Sequence, residues 1–528
     1  MEKIAKELTE ELKKQKTALK KKIFGKKILF FYFHPILFSY TPLDLGYVLA
    51  KIEEESSKNF TSPLNSFHFQ FTPINFIHNS LERTDGFKKA AEKFCLENEK
   101  KRVVRLVEKE KPAAIFFFLD NVLWSGFWGL NGALEIVKEI RKSQKEELKN
   151  IFIGFQSYKI TGEVMKKVFD LELIDCWVGE NPALSFFKTD KILKKEKVAN
   201  VYYHFNQEDF RQEKEARLQR RINLINQKGH IDDFIDEQFP SPYLTGTMDS
   251  FFHSLKNIKS AYLYSSFGCV FGCYYCFRSI KFSKLQLFSP KRFYDEIEYI
   301  VSKFGIHRFS VLDDFFITSE ERLRQFVDEF EKRKKKNKKL KEVELFIMAR
   351  IENFTSQKIA QLLKKINVWD IQIGLQTINP KLEKYMRRKE GSYRKLVEIA
   401  KWLKEAGIYF KLDIIAGLPG DDIDYFKKTV DFGLSLKPSF IQVKQLYLNP
   451  GTLFHLKRDE FGIEDEGFLS SRYKFGVPFV LGSNKENRIG RKYFKEAFEY
   501  VMDKFEKEEK MGFKILLNGK TIYKKPRG

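Results

Sequence analysis

The chain has 528 residues, 43% of them hydrophobic and 31% charged, which excludes disorder or a collagen-like repeat for its bulk and exceeds what one ordinary core holds. Its 95 Lys and Arg against 71 Asp and Glu leave a formal charge of +24. That balance favours an anionic partner, yet the lysines gather in runs such as Lys13 to Lys27 and Lys332 to Lys341, the pattern of solvated helix faces.

The N-terminus is charged throughout and has no apolar h-region with a cleavage site, so no secretory signal is expected and the location expected is cytoplasmic. Ile4, Leu8, Leu12, Leu19 and Ile23 recur at helical spacing among charges and predict a basic amphipathic helix over residues 1–26. The apolar stretch from Ile28 to Tyr40 contains His34 and Pro35 and falls short of the ~20 residues a spanning helix needs.

Over 27–205, Ile28–Phe33, Phe67–Phe71, Ala113–Leu119, Ile151–Phe155, Ile174–Val178 and Val198–Tyr203 read as buried strands. Leu43–Glu54, Gly132–Ser143 and Thr161–Asp170 read as helices between them. The alternation predicts an α/β, doubly wound, Rossmann-like domain, with any ligand beyond the carboxyl ends of its strands, near His34, Asp120, Gln156 and Gly179.

Residues 206–255 read as a linker, polar until the extended segment Phe239-Pro240-Ser241-Pro242-Tyr243. A second series follows over 256–460, with strands near Ala261–Ser265, Arg308–Leu312, Glu344–Ala349, Asp370–Gly374, Tyr409–Ala416 and Phe440–Gln445. Six strand–helix units can curl into a partial barrel. Residues 461–528 read as a helical extension, chiefly Lys492–Lys507.

Of five cysteines, three stand as Cys-x-x-x-Cys-x-x-Cys, Cys269, Cys273 and Cys276, directly after the first strand of the second series. A disulfide framework does not fit so few; in a reducing cytosol the cluster reads as a metal or redox site. A four-iron cluster that only carries electrons takes a thiolate on each iron, whereas three thiolates leave one iron open to a ligand. A structural zinc would call for a second close pair, which the sequence lacks. Cys95 and Cys176 lie far away and read as buried core thiols.

CVFGCYYC (269–276), VLDDFF (311–316), IGLQTINP (373–380), Arg387-Arg388, KEAGIYFKLDIIAGLPGD (404–421) and LNPGT (448–452) follow in order at strand ends. Together they resemble the radical S-adenosylmethionine (SAM) superfamily over residues 256–455. The resemblance implies a four-iron–four-sulfur (4Fe-4S) cluster on the three cysteines, with SAM chelated to the open iron and cleaved by one electron to methionine and a 5′-deoxyadenosyl radical. It implies that Tyr275 lies against the adenine, that Asp313 and Asp314 end the second strand near the methionine amino group, that Gln376 and Arg388 approach the ribose or carboxylate, and that Gly417 and Pro419 form a turn beneath the adenine. Leu312-Asp313-Asp314 departs from the commoner Gly-Gly-Glu at the second strand.

The preceding domain, with Thr41-Pro42-Leu43-Asp44-Leu45-Gly46-Tyr47 and IDCWVGENPALSFF, resembles the cobalamin-binding subgroup of that superfamily. The Asp-x-His-x-x-Gly signature of a histidine-ligated cobalt is absent, and His34, His68 and His78 read as ordinary histidines. The function implied is methylation of an unactivated carbon of a small metabolite or lipid precursor, with a flavodoxin- or ferredoxin-like electron donor. The alternatives are a radical rearrangement or oxidation without cobalamin, an RNA-modifying radical enzyme, for which the sequence has neither an RNA-binding extension nor a second cysteine set, and an iron–sulfur electron carrier, which would not need the strand-end motifs.

Overall fold

The computed structural model describes residues 26–35, 67–76, 85–119, 130–143, 145–156, 162–178, 192–197, 201–204, 240–249, 252, 259–276, 285–388, 391–449, 452–465, 480–483, 489–508, 511–517 and 520–525. The chain divides into two compact units, residues 1–38 with 44–206 and residues 39–43 with 207–528. The predicted N-terminal basic helix and the predicted helix Leu43–Glu54 lie outside the described residues.

The first unit is built on β1 (Lys26–Pro35), β2 (Phe67–Phe76), β3 (Ala114–Phe118), β4 (Phe152–Gln156), β5 (Cys176–Val178) and β6 (Val201–Tyr202), in the order β2-β1-β3-β4-β5-β6. All neighbours run parallel except β5 and β6. The antiparallel edge departs from the all-parallel expectation; doubly wound sheets tolerate such an edge, because an outer strand pairs on one side only. Helices Asp85–Glu110, Leu130–Arg141 and Gly162–Phe169 fall between the strands. Ile115, Phe116, Phe117, Phe155 and Trp177 are fully buried, and the Phe155 ring meets Phe117 and Trp177 edge-on at 5.6 and 5.8 Å. Each such side chain contributes about 1.5–3 kcal/mol by leaving water. Cys176 sits in this core, and burial, then the charge of Asp175, push its thiol well up. The order reverses between β1 and β3, the switch point over which open α/β sheets form their ligand crevice. The loops beyond the strand ends there lie outside the described residues, as do the side chains of His34 and Gln156.

The second unit contains β7 (Ser260–Leu263), β8 (Ser266–Phe267), β9 (Gln286–Leu287), β10 (Arg308–Val311), β11 (Glu344–Ala349), β12 (Val368–Gln376), β13 (Tyr409–Ala416), β14 (Phe440–Gln445), β15 (Ile463–Asp465), β16 (Val480–Ser483), β17 (Gly512–Leu517) and β18 (Lys520–Lys524). Eight of them form one sheet, β18-β17-β14-β13-β12-β11-β10-β7, parallel up to the antiparallel β17–β18 hairpin. The intervening helices start at side-chain caps: Ser289 accepts from the Arg292 amide, Ser319 from Arg322 and Asp422 from Tyr425.

Burial alternates along these strands. Leu345, Ile347, Ile371, Ile373, Leu412, Ile414, Ile441, Val443 and Ile515 are buried; Gly433 of helix Ile423–Ser435 packs against Ile414, Ile441 and Leu375. The opposite face, carrying Phe346, Gln372, Asp413, Gln442, Lys444 and Lys514, is half-buried throughout. A parallel sheet sandwiched by helices would be apolar on both faces; this one keeps a wet inner face, as a partial barrel around a lumen does.

Two expectations change. The C-terminal region supplies helix Arg491–Glu506 but also the β15–β16 pair and the β17–β18 hairpin. Buried Phe513, Ile515 and Leu517 alternate there with half-buried Lys514 and Leu516, a period of two that fits the open edge of β14. In the predicted linker, residues 240–249 are fastened down. Tyr243 is fully buried and its hydroxyl donates to the Tyr262 carbonyl at 2.5 Å, while the Ser241 hydroxyl accepts from the Leu244 amide at 3.2 Å.

Candidate active site

The loop carrying the three cysteines leaves β7, which lies at one edge of the sheet. Asp313, two residues past β10, anchors its start: the fully buried carboxylate accepts from the Ser265 amide at 2.6 Å, the Ser265 hydroxyl at 2.5 Å and the Ser266 hydroxyl at 2.8 Å. Burial nonetheless pushes the Asp313 carboxyl up to about 6. With both oxygens engaged by Ser265 and Ser266, Asp313 anchors the start of the loop. Its neighbour Asp314 is half-buried and near enough to Cys269 to influence that thiol.

The loop turns at Gly272, whose φ of 61° is a left-handed conformation. Cys273 is buried, Cys269 and Cys276 half-buried. Burial, then the neighbouring Cys273 and Cys276, push the Cys269 thiol well up. Among the described residues no three or more His, Cys, Asp or Glu converge on a single metal ion. The three thiols share one loop, and Cys273 and Cys276 lie near enough to Cys269 to act on it.

The rest of the loop is held by peptide groups and rings. The Tyr274 amide donates to the Tyr385 carbonyl at 2.8 Å, the Tyr274 carbonyl accepts from the Phe454 amide at 3.1 Å, and the Tyr275 carbonyl accepts from the Asn449 side chain at 3.2 Å. The Tyr274 ring joins Tyr385, Phe454 and Phe461 in edge-on and tilted contacts. Tyr275 packs against the same apolar cluster, which includes Ile415 and Leu418. Burial, then Cys273, raise its phenol far above the ordinary value.

An arginine that the sequence reading passed over completes this centre. Arg350 directly follows β11; its guanidinium donates to the Cys273 sulfur at 2.9 Å and to the Met386 carbonyl at 3.0 Å, and lies over the Phe271 ring at 3.8 Å. It also binds Glu352 through two nitrogens, at 3.1 and 3.2 Å. Glu352 in turn pairs with Arg388 at 3.3 Å. Burial opposes the charge on Arg350, but Cys273 and Glu352 hold its proton more firmly than usual. Burial likewise opposes the Glu352 charge, and Arg388 with Arg350 overcome it and lower that carboxyl. The signal available in sequence was an Arg-x-Glu placed just past a strand, where ligand-facing residues of such sheets gather.

Arg388 is buried, not a solvated surface residue, and donates to the Leu375 carbonyl at 2.8 Å and to the Gly374 carbonyl. Gln376 ends β12 at a register shift with a φ of 68°. A bulge of this kind re-aims a side chain, and here the Gln376 amide folds back over Gly374, beside Arg388. Gln376 and Arg388 are therefore brought together, next to Glu352. Gly417 directly follows β13 with a φ of 85°, and a Cβ there would lie 2.6 Å from the Phe494 ring. Pro419 follows, buried, and Asp421 closes the turn, accepting from the Tyr493 hydroxyl at 3.1 Å. Burial pushes Asp421 up to about 7. Asp421 and Tyr493 were not singled out from sequence.

A parallel partial barrel with a three-cysteine loop after its first strand, and paired charges at the carboxyl ends of the third and fourth, is the arrangement that the sequence resemblance implied. Residues 263–433 match the family model of the Radical SAM superfamily, and this part of the chain is a radical SAM domain. Among curated proteins it is 22% identical over 189 residues to the "Uncharacterized methyltransferase PH0819" of Pyrococcus horikoshii; the match spans 36% of this chain and 39% of that relative's length. Among solved structures, the radical SAM methyltransferase TsrM from Kitasatospora setae, with cobalamin and a 4Fe-4S cluster bound, aligns at 13% identity over 94% of this chain and 93% of its own, with a TM-score of 0.61. TsrM with its tryptophan substrate and a SAM analogue aligns at 0.60. The cobalamin-dependent SAM radical enzyme OxsB aligns at 0.51, with 12% identity, over 78% of this chain and 52% of its own. At such identities the shared property is the fold.

Proposed function

We propose that this enzyme methylates an unactivated carbon of a small metabolite or lipid precursor, using a 4Fe-4S cluster, SAM and cobalamin. The observation that carries the reading is the cysteine loop set against Arg350, Glu352 and Arg388 at the strand ends of a half-wet partial barrel. The fold likeness to TsrM, structures of which contain cobalamin, a 4Fe-4S cluster and a SAM analogue, supports it, as does the switch point between β1 and β3 in the first unit. When bound, these groups supply one-electron cleavage of SAM and a transferable methyl group.

Cys269, Cys273 and Cys276 hold the cluster. Arg350, donating to the Cys273 sulfur, orients that ligand and offsets its negative charge. Asp314, Tyr275, Gln376 and Arg388 face SAM, with Gly417 and Pro419 leaving room for its flat base; Asp313 keeps the loop in register from behind. A flavodoxin- or ferredoxin-like donor supplies the electron, and the enzyme works in the cytoplasm. Among the described residues no helix is long and apolar enough to cross a membrane.

The test is anaerobic reconstitution of the full chain with iron, sulfide and cobalamin, followed by electron paramagnetic resonance and a SAM-cleavage assay beside Cys273→Ala. A four-iron signal, bound corrinoid and 5′-deoxyadenosine from the wild type alone are expected. A cluster without corrinoid would replace methylation by a radical rearrangement or oxidation, and no cluster would overturn the reading.

A further inference from the structure

Helix Arg491–Glu506 lies beyond residues 263–433, the part that matches the family model, yet it reaches back to the end of the barrel. Among the described residues, polar contacts tie it at three levels to helix Ile423–Ser435 and the turn before that helix. Two of the ties are partly open to solvent: Lys504 and Tyr500 meet Asp431 at 3.2 and 2.7 Å, and Lys427 pairs with Glu496 at 2.5 Å. Pairs of this kind contribute little to stability. The third is buried. The Tyr493 hydroxyl accepts from the Gly417 amide at 3.3 Å and donates to the Asp421 carboxylate at 3.1 Å, with Asp421 at 1% exposure and Tyr493 at 7%.

The turn that this hydroxyl spans is one that only glycine fits at two places. Gly417 and Gly420 have φ of 85° and 89°, and the Phe494 ring leaves no room for a Cβ at Gly417. Asn379, in the loop that follows Gln376, brings its side-chain amide to 3.5 Å from Asp421. Asp421 thereby stands between the loop after β12 and the turn after β13. Its burial opposes a negative charge there and pushes the carboxyl up to about 7. Apolar packing would dock the same helix without a buried carboxylate. What the polar link adds is direction: one hydroxyl fixes both ends of the turn, the Gly417 amide and the Asp421 side chain.

We propose that Tyr493 and Asp421 are positioning residues for SAM, setting from the C-terminal helix the place of the turn on which the adenine rests. The inference deepens the reading of Gly417 and Pro419 as that rest, and depends on it. Neither residue touches the reacting atoms. Their part is to hold the Leu418-Pro419-Gly420 backbone between them, so that a segment outside the matched domain contributes to the cofactor site.

The experiment is equilibrium dialysis of labelled SAM, 5′-deoxyadenosine and L-methionine against the anaerobically reconstituted full chain. Tyr493→Phe, which removes the hydroxyl and keeps the ring, should bind SAM and 5′-deoxyadenosine about tenfold more weakly, and L-methionine as well as the wild type does. Asp421→Ala should match it, Asp421→Asn, which keeps an accepting oxygen, should stay within about twofold of the wild type, and the double variant Tyr493→Phe with Asp421→Ala should lose no more than either alone. An equal loss for L-methionine would mean that Tyr493 acts through the general fold, and unchanged SAM affinity in Tyr493→Phe would mean that the turn needs no such hold; either overturns the proposal. Should Asp421→Ala fail to fold, the Tyr493→Phe comparison decides alone. A wild type that binds SAM no more tightly than L-methionine would overturn the reading of the turn as the rest for the adenine, and the proposal with it. A wild type whose SAM binding depends on the adenosine part, beside variants that bind equally well, removes the proposal alone.

Discussion

The two large sheets are both mainly parallel, yet they treat their faces differently. In the first unit β5 is buried at every position, and Ala114 to Phe117 of β3 are all at 0% exposure. In the second unit β14 reads half-buried and buried in strict alternation, as does β10 beyond its exposed first residue. Helix-covered strands must be apolar on both sides, whereas barrel strands need only one apolar side and can spend the other on chemistry. Polar side chains such as Gln372, Asp413 and Gln442 therefore stand in the middle of strands in the second unit.

Substitutions that exchange or erase this contrast test it, beginning with the largest. Phe155→Ala in the first unit and Ile347→Gln on the outer face of the second should each cost about 3–5 kcal/mol, one through a cavity and the other through a buried amide. Both would appear as a lowered denaturant midpoint, and a loss under ~1 kcal/mol would show that these faces are not closed. Glu352→Gln leaves the Arg350 and Arg388 guanidiniums without their shared carboxylate. Since Glu352 is partly exposed, the cost expected is about 1–3 kcal/mol, together with a changed signal from the reconstituted cluster, because Arg350 loses its orienting partner.

Asp421 tests the end of the barrel through pH. Burial lifts its carboxyl from 3.8 to about 7, so the folded state favours the protonated form more than the unfolded chain does. The stability it contributes is complete below about pH 4 and is lost as pH rises through about 7. Melting temperatures at pH 5 and pH 8 should therefore differ more in the wild type than in Asp421→Asn, and equal differences would place that carboxyl elsewhere. The smallest effect is expected one residue from one of the largest. Met348→Gln, on the half-buried inner side of β11, should change stability by less than about 1 kcal/mol. A loss matching that of Ile347→Gln would mean that the inner face is packed, not open.

The elements most legible in sequence were those whose local pattern is also their tertiary role. Val-Leu-Asp-Asp at the second strand of the series, the Gly-Leu-Pro-Gly turn and the cysteine spacing each announced a strand end. The Phe-Ile-Gln-Val-Lys-Gln alternation of β14 carried its two faces openly. What the sequence left unread depends on contacts between distant segments. Arg350 acquires its meaning from Cys273, 77 positions earlier, and Asp421 from Tyr493, 72 positions later. Asp313 was placed correctly along the chain, but its hold on the cysteine loop was not legible, since the two serines that claim it lie 47 and 48 residues away. The β17–β18 hairpin escaped because a short strand at the chain's end shows its role only when its partner edge, β14, is known.

The fastenings of the cysteine loop carry one further consequence. The hydrogen bonds and ring contacts at Tyr274, the hold of Asn449 on Tyr275 and the grip of Asp313 on Ser265 all bypass sulfur. Zinc fingers gather their ligands only as the metal arrives; here the loop that carries the three thiols has fastenings of its own.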